Sequence, residues 1–116
     1  MESTETLITC IVSHGDAYDV MTAARAAGAR GGTIIDAHGT HRESDVQFFG
    51  MTLVAEKEML LIVAENDLVE SILRAMKELP VFQRTGGGII YTTAVNRILP
   101  SFPADEVAEQ PNNNQQ

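Results

Sequence analysis

Three consecutive glycines beside an arginine, in Gln83-Arg84-Thr85-Gly86-Gly87-Gly88, are the feature of this sequence most suited to chemistry. Glycines let the main chain approach a ligand closely and turn successive N–H groups inward as an anion nest. Arg84 adds a positive charge in a chain with only eight Lys plus Arg. The run is not a P-loop, because no Gly-Lys-Ser/Thr follows. The bland alternative is a turn between a helix and a strand. A second candidate is the stretch bracketed by Gly31-Gly32-Thr33 and His38-Gly39-Thr40. Thr33 could hydrogen-bond a ligand ring, or be an ordinary strand threonine.

His14, His38, His41 and Cys10, with Asp36 nearby, are metal-ligating types. A His-x-x-His pair alone lacks the ligand number and fixed spacing of zinc sites, so no metal is expected and exposed loop histidines are the reading. Ser13, Ser44, Ser71 and Ser101 lie in no nucleophile-elbow context. Cys10 falls mid-strand, where a buried inert thiol is expected. The carboxylates fall at helix starts, in a long loop and in the tail, which are capping or solvated positions. The chain reads as a ligand-binding sensor rather than a catalyst. Phe48-Phe49, adjacent aromatics in a polar stretch, either pack back on the body or insert into a partner as aromatic anchors do.

Short alternating elements must position these residues. Leu7-Ile8-Thr9-Cys10-Ile11-Val12 is apolar, β-branched and too short for a free-standing helix, so it reads as a strand. Asp16 is placed to cap a helix in which Ala17, Val20, Met21 and Ala24 recur at helical spacing, and Gly28 stops it. Thr33-Ile34-Ile35-Asp36-Ala37 is a second strand. Residues 38–50 show neither periodicity, and loops of this length are often functional. Met51-Thr52-Leu53-Val54 and Met59-Leu60-Leu61-Ile62-Val63-Ala64 are taken together as the third strand, interrupted by Glu56-Lys57-Glu58. Asn66 or Asp67 caps a second helix, with Glu70 completing a capping box to Asp67. Val69, Ile72, Leu73 and Met76 line its buried face and Pro80 ends it. Ile89 to Val95 is the last strand.

The order βαββαβ predicts an α+β, ferredoxin-like fold over residues 1–98. Four antiparallel strands form its sheet, with both helices on one face. The long loop spans about 39–50 and the glycine loop 83–88. The tail, 99–116, is rich in Pro, Asn, Gln and carboxylates and is expected to be disordered. A sheet with one wet face should alternate apolar and polar residues. Leu7 to Val12 and Met59 to Val63 do not, so a second copy of the chain is expected to cover the other face.

The net charge of -8 argues against a generic electrostatic grip on nucleic acid or on an anionic membrane. One cysteine permits no internal disulfide and suits a reducing compartment. The acidic start, Met1-Glu2-Ser3-Thr4-Glu5, is unlike a signal peptide, and no apolar run is long enough to insert in a bilayer. A cytoplasmic protein is expected.

With these residues laid out, the sequence resembles the PII signal-transduction family, the nitrogen regulatory proteins P-II, in a divergent PII-like branch. Leu7 to about Ile98 carries the resemblance. Its segments are Leu7 to Val12, Gly28-Ala29-Arg30-Gly31-Gly32-Thr33-Ile34-Ile35, Glu56 to Val63, Asn66-Asp67-Leu68-Val69 and Arg84 to Tyr91. The resemblance implies a homotrimer that binds an adenine nucleotide in clefts between subunits. Thr85, Gly86, Gly87 and Gly88 would cradle phosphates beside Arg84, and Thr33 would touch the adenine region. Gly39 and Arg42 come from the base of the long loop. Backbone near Ile62 and Val63 would face the base, and Arg97 would join the phosphates. Asp45, Val46, Phe48 and Phe49 fall in the loop that would engage a target protein, with membrane transporters and metabolic enzymes of nitrogen or carbon metabolism as the leading classes. The family's Asp-Gly-Lys after the first loop glycine is replaced here by Gly87-Gly88-Ile89, so the phosphate-binding lysine is missing. That implies weaker triphosphate binding and a preference for ADP, AMP or cyclic AMP over ATP. Lys57 is a candidate substitute. The usual modified tyrosine is absent. The alternative is a PII-like oligomeric scaffold or metal-binding protein that has lost nucleotide binding. A slow nucleotide hydrolase is a third reading. Arg84→Ala or Gly87→Val is expected to weaken nucleotide binding without unfolding the trimer.

Overall fold

The computed structural model describes residues 4–40, 47–48, 51–52 and 55–100. Its main sheet has four strands: β1 (Glu5–Ser13), β2 (Thr33–Gly39), β5 (Ala55–Glu65) and β6 (Gly88–Val95). They pair antiparallel in the spatial order β2-β5-β1-β6, the ferredoxin-like arrangement expected from the βαββαβ pattern. Helix α1 (Ala17–Ala26) follows β1 and helix α2 (Val69–Lys77) follows β5.

Both helices cover one face. Ile8, Cys10 and Val12 of β1 and Leu60, Ile62 and Ala64 of β5 point to that face and are buried. There they meet Ala17, Val20, Met21 and Ala24 of α1 and Val69, Ile72 and Met76 of α2. Burying such side chains stabilises the fold by roughly 1.5–3 kcal/mol for each large one. Gly32 lies so close to this core that a Cβ there would meet Met21 Sδ at 2.8 Å and the Leu61 carbonyl oxygen at 3.1 Å.

The opposite face carries the alternate residues. Ile35, Val63, Ile89 and Tyr91 are between 42% and 56% exposed on it. Cross-strand register places Ile11 beside both Met59 and Ile89, and Leu7 beside Val63, so the apolar surface is continuous across strands.

Helix α1 ends as the sequence predicts. Gly28 has φ +121°, its N–H donates to the Arg25 carbonyl, and the Ala29 N–H donates to the Ala24 carbonyl. This pattern satisfies carbonyls that would otherwise be orphaned at the helix end.

Several elements differ from expectation. Glu56-Lys57-Glu58 does not interrupt a strand. β5 runs unbroken from Ala55, because these residues pair with His38, Ala37 and Asp36 of β2 and Glu58 accepts a buried hydrogen bond from the Ala17 N–H. Met51–Thr52 (β4) pairs instead with Gln47–Phe48 (β3) in a separate two-stranded ribbon, so part of the long loop has regular structure. Phe48 therefore lies in a strand. Asp45, Val46, Phe49 and Arg42 lie outside the described residues, as does the tail beyond 100. Asn66–Leu68 is a 3-10 turn and α2 starts only at Val69. Asn66 accepts a 2.6 Å hydrogen bond from the Thr6 hydroxyl, tying the start of β1 to this turn.

Candidate functional site

The glycine loop is built from both directions at once. Pro80–Phe82 forms a 3-10 turn after α2, and Gly88 opens β6 opposite Val12. Between them the chain reverses at Gly86, whose φ of +75° suits glycine. The Gly87 N–H donates to the Arg84 carbonyl at 3.1 Å, so this amide closes the turn and does not face a ligand. The N–H groups of Thr85 and Gly86 have no partner among the described residues, and they are the loop's available anion donors. Gly87 and Gly88 serve packing. A Cβ at Gly87 would overlap the Val81 carbonyl, and one at Gly88 would meet Phe82 Cε1 at 2.7 Å and Val12 Cγ1 at 2.9 Å. The Gly87→Val substitution is thus no clean probe of binding, because it would distort the turn itself.

Arg84 Nη2 lies 3.4 Å from Asp16 Oδ2. Asp16 precedes α1 without making a side-chain cap, so the capping expectation fails there and the carboxylate turns to the guanidinium. Glu58 caps the helix instead. Its Oε1 accepts the Ala17 N–H at 3.0 Å, and its Oε2 lies 3.4 Å from His14 Nδ1. Glu58 is 5% exposed, so a long-range partner replaces the local cap. Arg84 and Asp16 also line a cavity of about 440 Å³ between α1 and the Leu79–Val81 segment.

Gly39, the last residue of β2, has the Lys57 side chain folded over it. A Cβ at Gly39 would lie 3.1–3.7 Å from the lysine methylenes. Lys57 and Gly39 are therefore neighbours at the base of the long loop, on the side of the sheet away from the helices. Thr33 opens β2 opposite Leu61 and is exposed.

At the other end of the sheet, Val63 pairs with Leu7 and lines a cleft of about 180 Å³ with Glu5, Arg30, Glu65 and Ile98. Ile62 points the other way and is fully buried in the core, so only its backbone is available to a ligand. Arg97 follows β6 and is exposed. Sequence reasoning did not single out Arg30, whose Nη2 lies 3.8 Å from Glu65 Oε2 in this cleft. Its signal was its place between Ala29 and the Gly31-Gly32 pair.

The named residues thus form two groups. Arg84, Thr85, Gly86 and Gly39 sit towards one end of the sheet, where Val12, Ser13 and Gly88 lie. Val63 and Arg97 sit towards the other, near Glu5 and Val95. The eight-residue β6 separates Gly88 from Val95 by about 24 Å at roughly 3.4 Å per residue. One chain does not bring the two groups together.

His14 and Asp36, both metal-ligating types in the sequence, converge with Glu58 from the charged triplet of β5. His14, Asp36 and Glu58 offer ligand atoms that all lie within 4.8 Å of one another. His38 and Cys10 do not join them; Cys10 is buried and its thiol is pushed up to about 12 by desolvation.

The family model for nitrogen regulatory protein P-II matches residues 5–100. PII from Arabidopsis thaliana, in a crystal structure bound to citrate, aligns at a TM-score of 0.60 and 25% identity. That match covers 86% of this chain and 82% of the other. CPII, a nitrogen regulatory PII-like protein from Thiomonas intermedia bound to ADP, AMP and bicarbonate, aligns at a TM-score of 0.62 and 15% identity. It covers 83% of this chain and 94% of that one. A comparison with curated proteins gives no match.

Proposed function

The chain belongs to the nitrogen regulatory protein P-II family, and from that premise we propose that it is a homotrimeric PII-like regulator of the cytoplasm, binding an adenine nucleotide at the seams between subunits. The observation that carries this reading is the separation of the two residue groups along the sheet. A phosphate-binding end (Thr85, Gly86, Arg84) and the opposite end, where backbone at Val63 would face the base and Arg97 would reach back to the phosphates, serve one nucleotide only if the first belongs to one protomer and the second to its neighbour. The apolar outer face of Ile35, Val63, Ile89 and Tyr91 supplies the surface on which copies associate.

In this account the N–H groups of Thr85 and Gly86 hold phosphate oxygens and Arg84 neutralises charge. Lys57, lying over Gly39, takes part of the role of the missing loop lysine. Fewer cationic contacts favour ADP or AMP over ATP. The presence of ADP and AMP on the Thiomonas protein fits that preference. Occupancy would shift the segment between Gly39 and Ala55, which carries Arg42, Asp45, Val46, Phe48 and Phe49, between two arrangements. Only one of them would engage a target protein, such as a transporter or metabolic enzyme. Binding and regulation, with no turnover, suffice for this role. Among the described residues no helix is long and apolar enough to cross a membrane.

Calorimetry with ATP, ADP, AMP and cyclic AMP, paired with the solution mass of the protein, tests the proposal. Expected are a trimer and saturable binding of ADP or AMP, tighter than ATP. A monomer, or a trimer that gives no heat with any of the four, would contradict it. The latter outcome would favour an oligomeric scaffold without nucleotide.

A further inference from the structure

Asp36 of β2 and Glu58 of β5 are direct cross-strand partners. Like charges placed opposite one another in a ladder destabilise a sheet. Here the chain's net charge is already -8 and Glu58 is almost wholly removed from water. Removing a carboxylate from water is costly unless it is paired or coordinates a cation. Arg84 is engaged with Asp16, and Lys57 leans over Gly39 on the other side of the sheet. The group that completes the pair is His14, whose Nδ1 faces Glu58 at 3.4 Å.

We propose that His14, Asp36 and Glu58 form a binding site for a divalent first-row transition-metal ion, best matched by Zn2+. The set is one imidazole nitrogen and two carboxylate oxygens, donors that suit a borderline cation better than Mg2+ or Ca2+, which prefer oxygen alone. Ligand atoms within 4.8 Å of one another need only modest rotation to share an ion at about 2.0–2.2 Å, and His14 and Asp36 are exposed. Glu58 is held by the Ala17 N–H through Oε1, which leaves Oε2 as its donor to the ion. That hydrogen bond orients the ligating carboxylate from its second oxygen, as outer partners do in metal sites. Three protein ligands leave a fourth position for water. The ion would tie the β1–α1 turn to β2 and β5, the two strands that frame the segment between Gly39 and Ala55.

The test is titration of the full-length protein with ZnCl2 by calorimetry, and with CoCl2 followed by its visible absorption, for the native chain and for His14→Gln and Asp36→Asn. These replace exposed ligands and leave the Glu58–Ala17 hydrogen bond intact. One Zn2+ per chain is expected, with a Co2+ spectrum of low-coordinate intensity. Affinity should fall at least about tenfold in each variant, while the circular dichroism and nucleotide binding stay as in the native protein. Absence of Zn2+ binding at micromolar concentrations, or equal affinity in the native protein and both variants, would overturn the assignment. A native protein that binds Zn2+ but none of the nucleotides would instead count against the regulatory reading and leave this one standing.

Discussion

The guanidinium of Arg84 faces the carboxylate of Asp16 across 3.4 Å, joining the glycine loop to the start of α1. The cation that the sequence offers to a phosphate is already engaged, so a nucleotide must compete with Asp16 for it. Releasing Arg84 costs little, because a partly exposed pair of this kind is worth about 0–1 kcal/mol. Asp16→Asn should therefore tighten ADP binding by roughly two- to fivefold, and Arg84→Ala should weaken it by about tenfold or more. Calorimetry at matched salt measures both. Tighter binding in Arg84→Ala would remove the residue from the site.

Glu58 caps α1 from a neighbouring strand. Glu58→Ala should lower stability by about 1–3 kcal/mol, because it deletes a buried hydrogen bond to a helix N-terminus. Asp16→Ala, at the sequence position that looks like the cap, should cost less than about 1 kcal/mol. Urea unfolding at neutral pH gives both numbers from the midpoints, and the expected order is Glu58 well above Asp16.

The three loop glycines are not equivalent. Gly86 has a positive φ and open space where a side chain would go, so Gly86→Asn should fold normally, since asparagine tolerates this backbone region. Gly87→Ala should lower the melting temperature clearly, because its Cβ would overlap the Val81 carbonyl. Thermal unfolding of the two variants side by side checks the contrast.

Cys10 governs a part of the alkaline stability. Burial raises its pKa from 9.0 to about 12 in the folded chain, so the native state keeps a proton that the unfolded state loses. Native protein binds more protons between these values, and stability falls as pH rises through that window. Below about 9 the contribution is fully present. Cys10→Ala should flatten the decline between pH 9 and 11 seen in urea midpoints. The same burial predicts that a thiol reagent at pH 8 modifies Cys10 only in denaturant.

The fold was largely legible because its signals are local. Runs such as Leu7 to Val12 carry β-branched residues, Ala17-Val20-Met21-Ala24 has helical period, and Gly28 occupies the left-handed position that ends α1. What could not be read locally depends on partners far along the chain. Glu56-Lys57-Glu58 looks like an interruption because three charges rarely lie in a strand. Only the fold shows that Glu58 is answered by Ala17 and His14. Asp16 has the right type for a cap and a different partner, 68 residues away. The same limit applies to the site. Thr85 and Gly86 are where a glycine loop should be, whereas the packing roles of Gly87 and Gly88 arise from Val81, Phe82 and Val12. The convergence of His14, Asp36 and Glu58 has no sequence spacing at all.

The claim that one nucleotide is shared by two protomers is tested most directly by mixing chains. Arg84→Ala and Arg97→Ala homotrimers should each bind ADP weakly. Co-expressed in one assembly, they should regain native affinity in about one cleft in four, because an Arg84 from one chain then meets an Arg97 from its neighbour. Mixed trimers that bind no better than either parent would contradict a shared site.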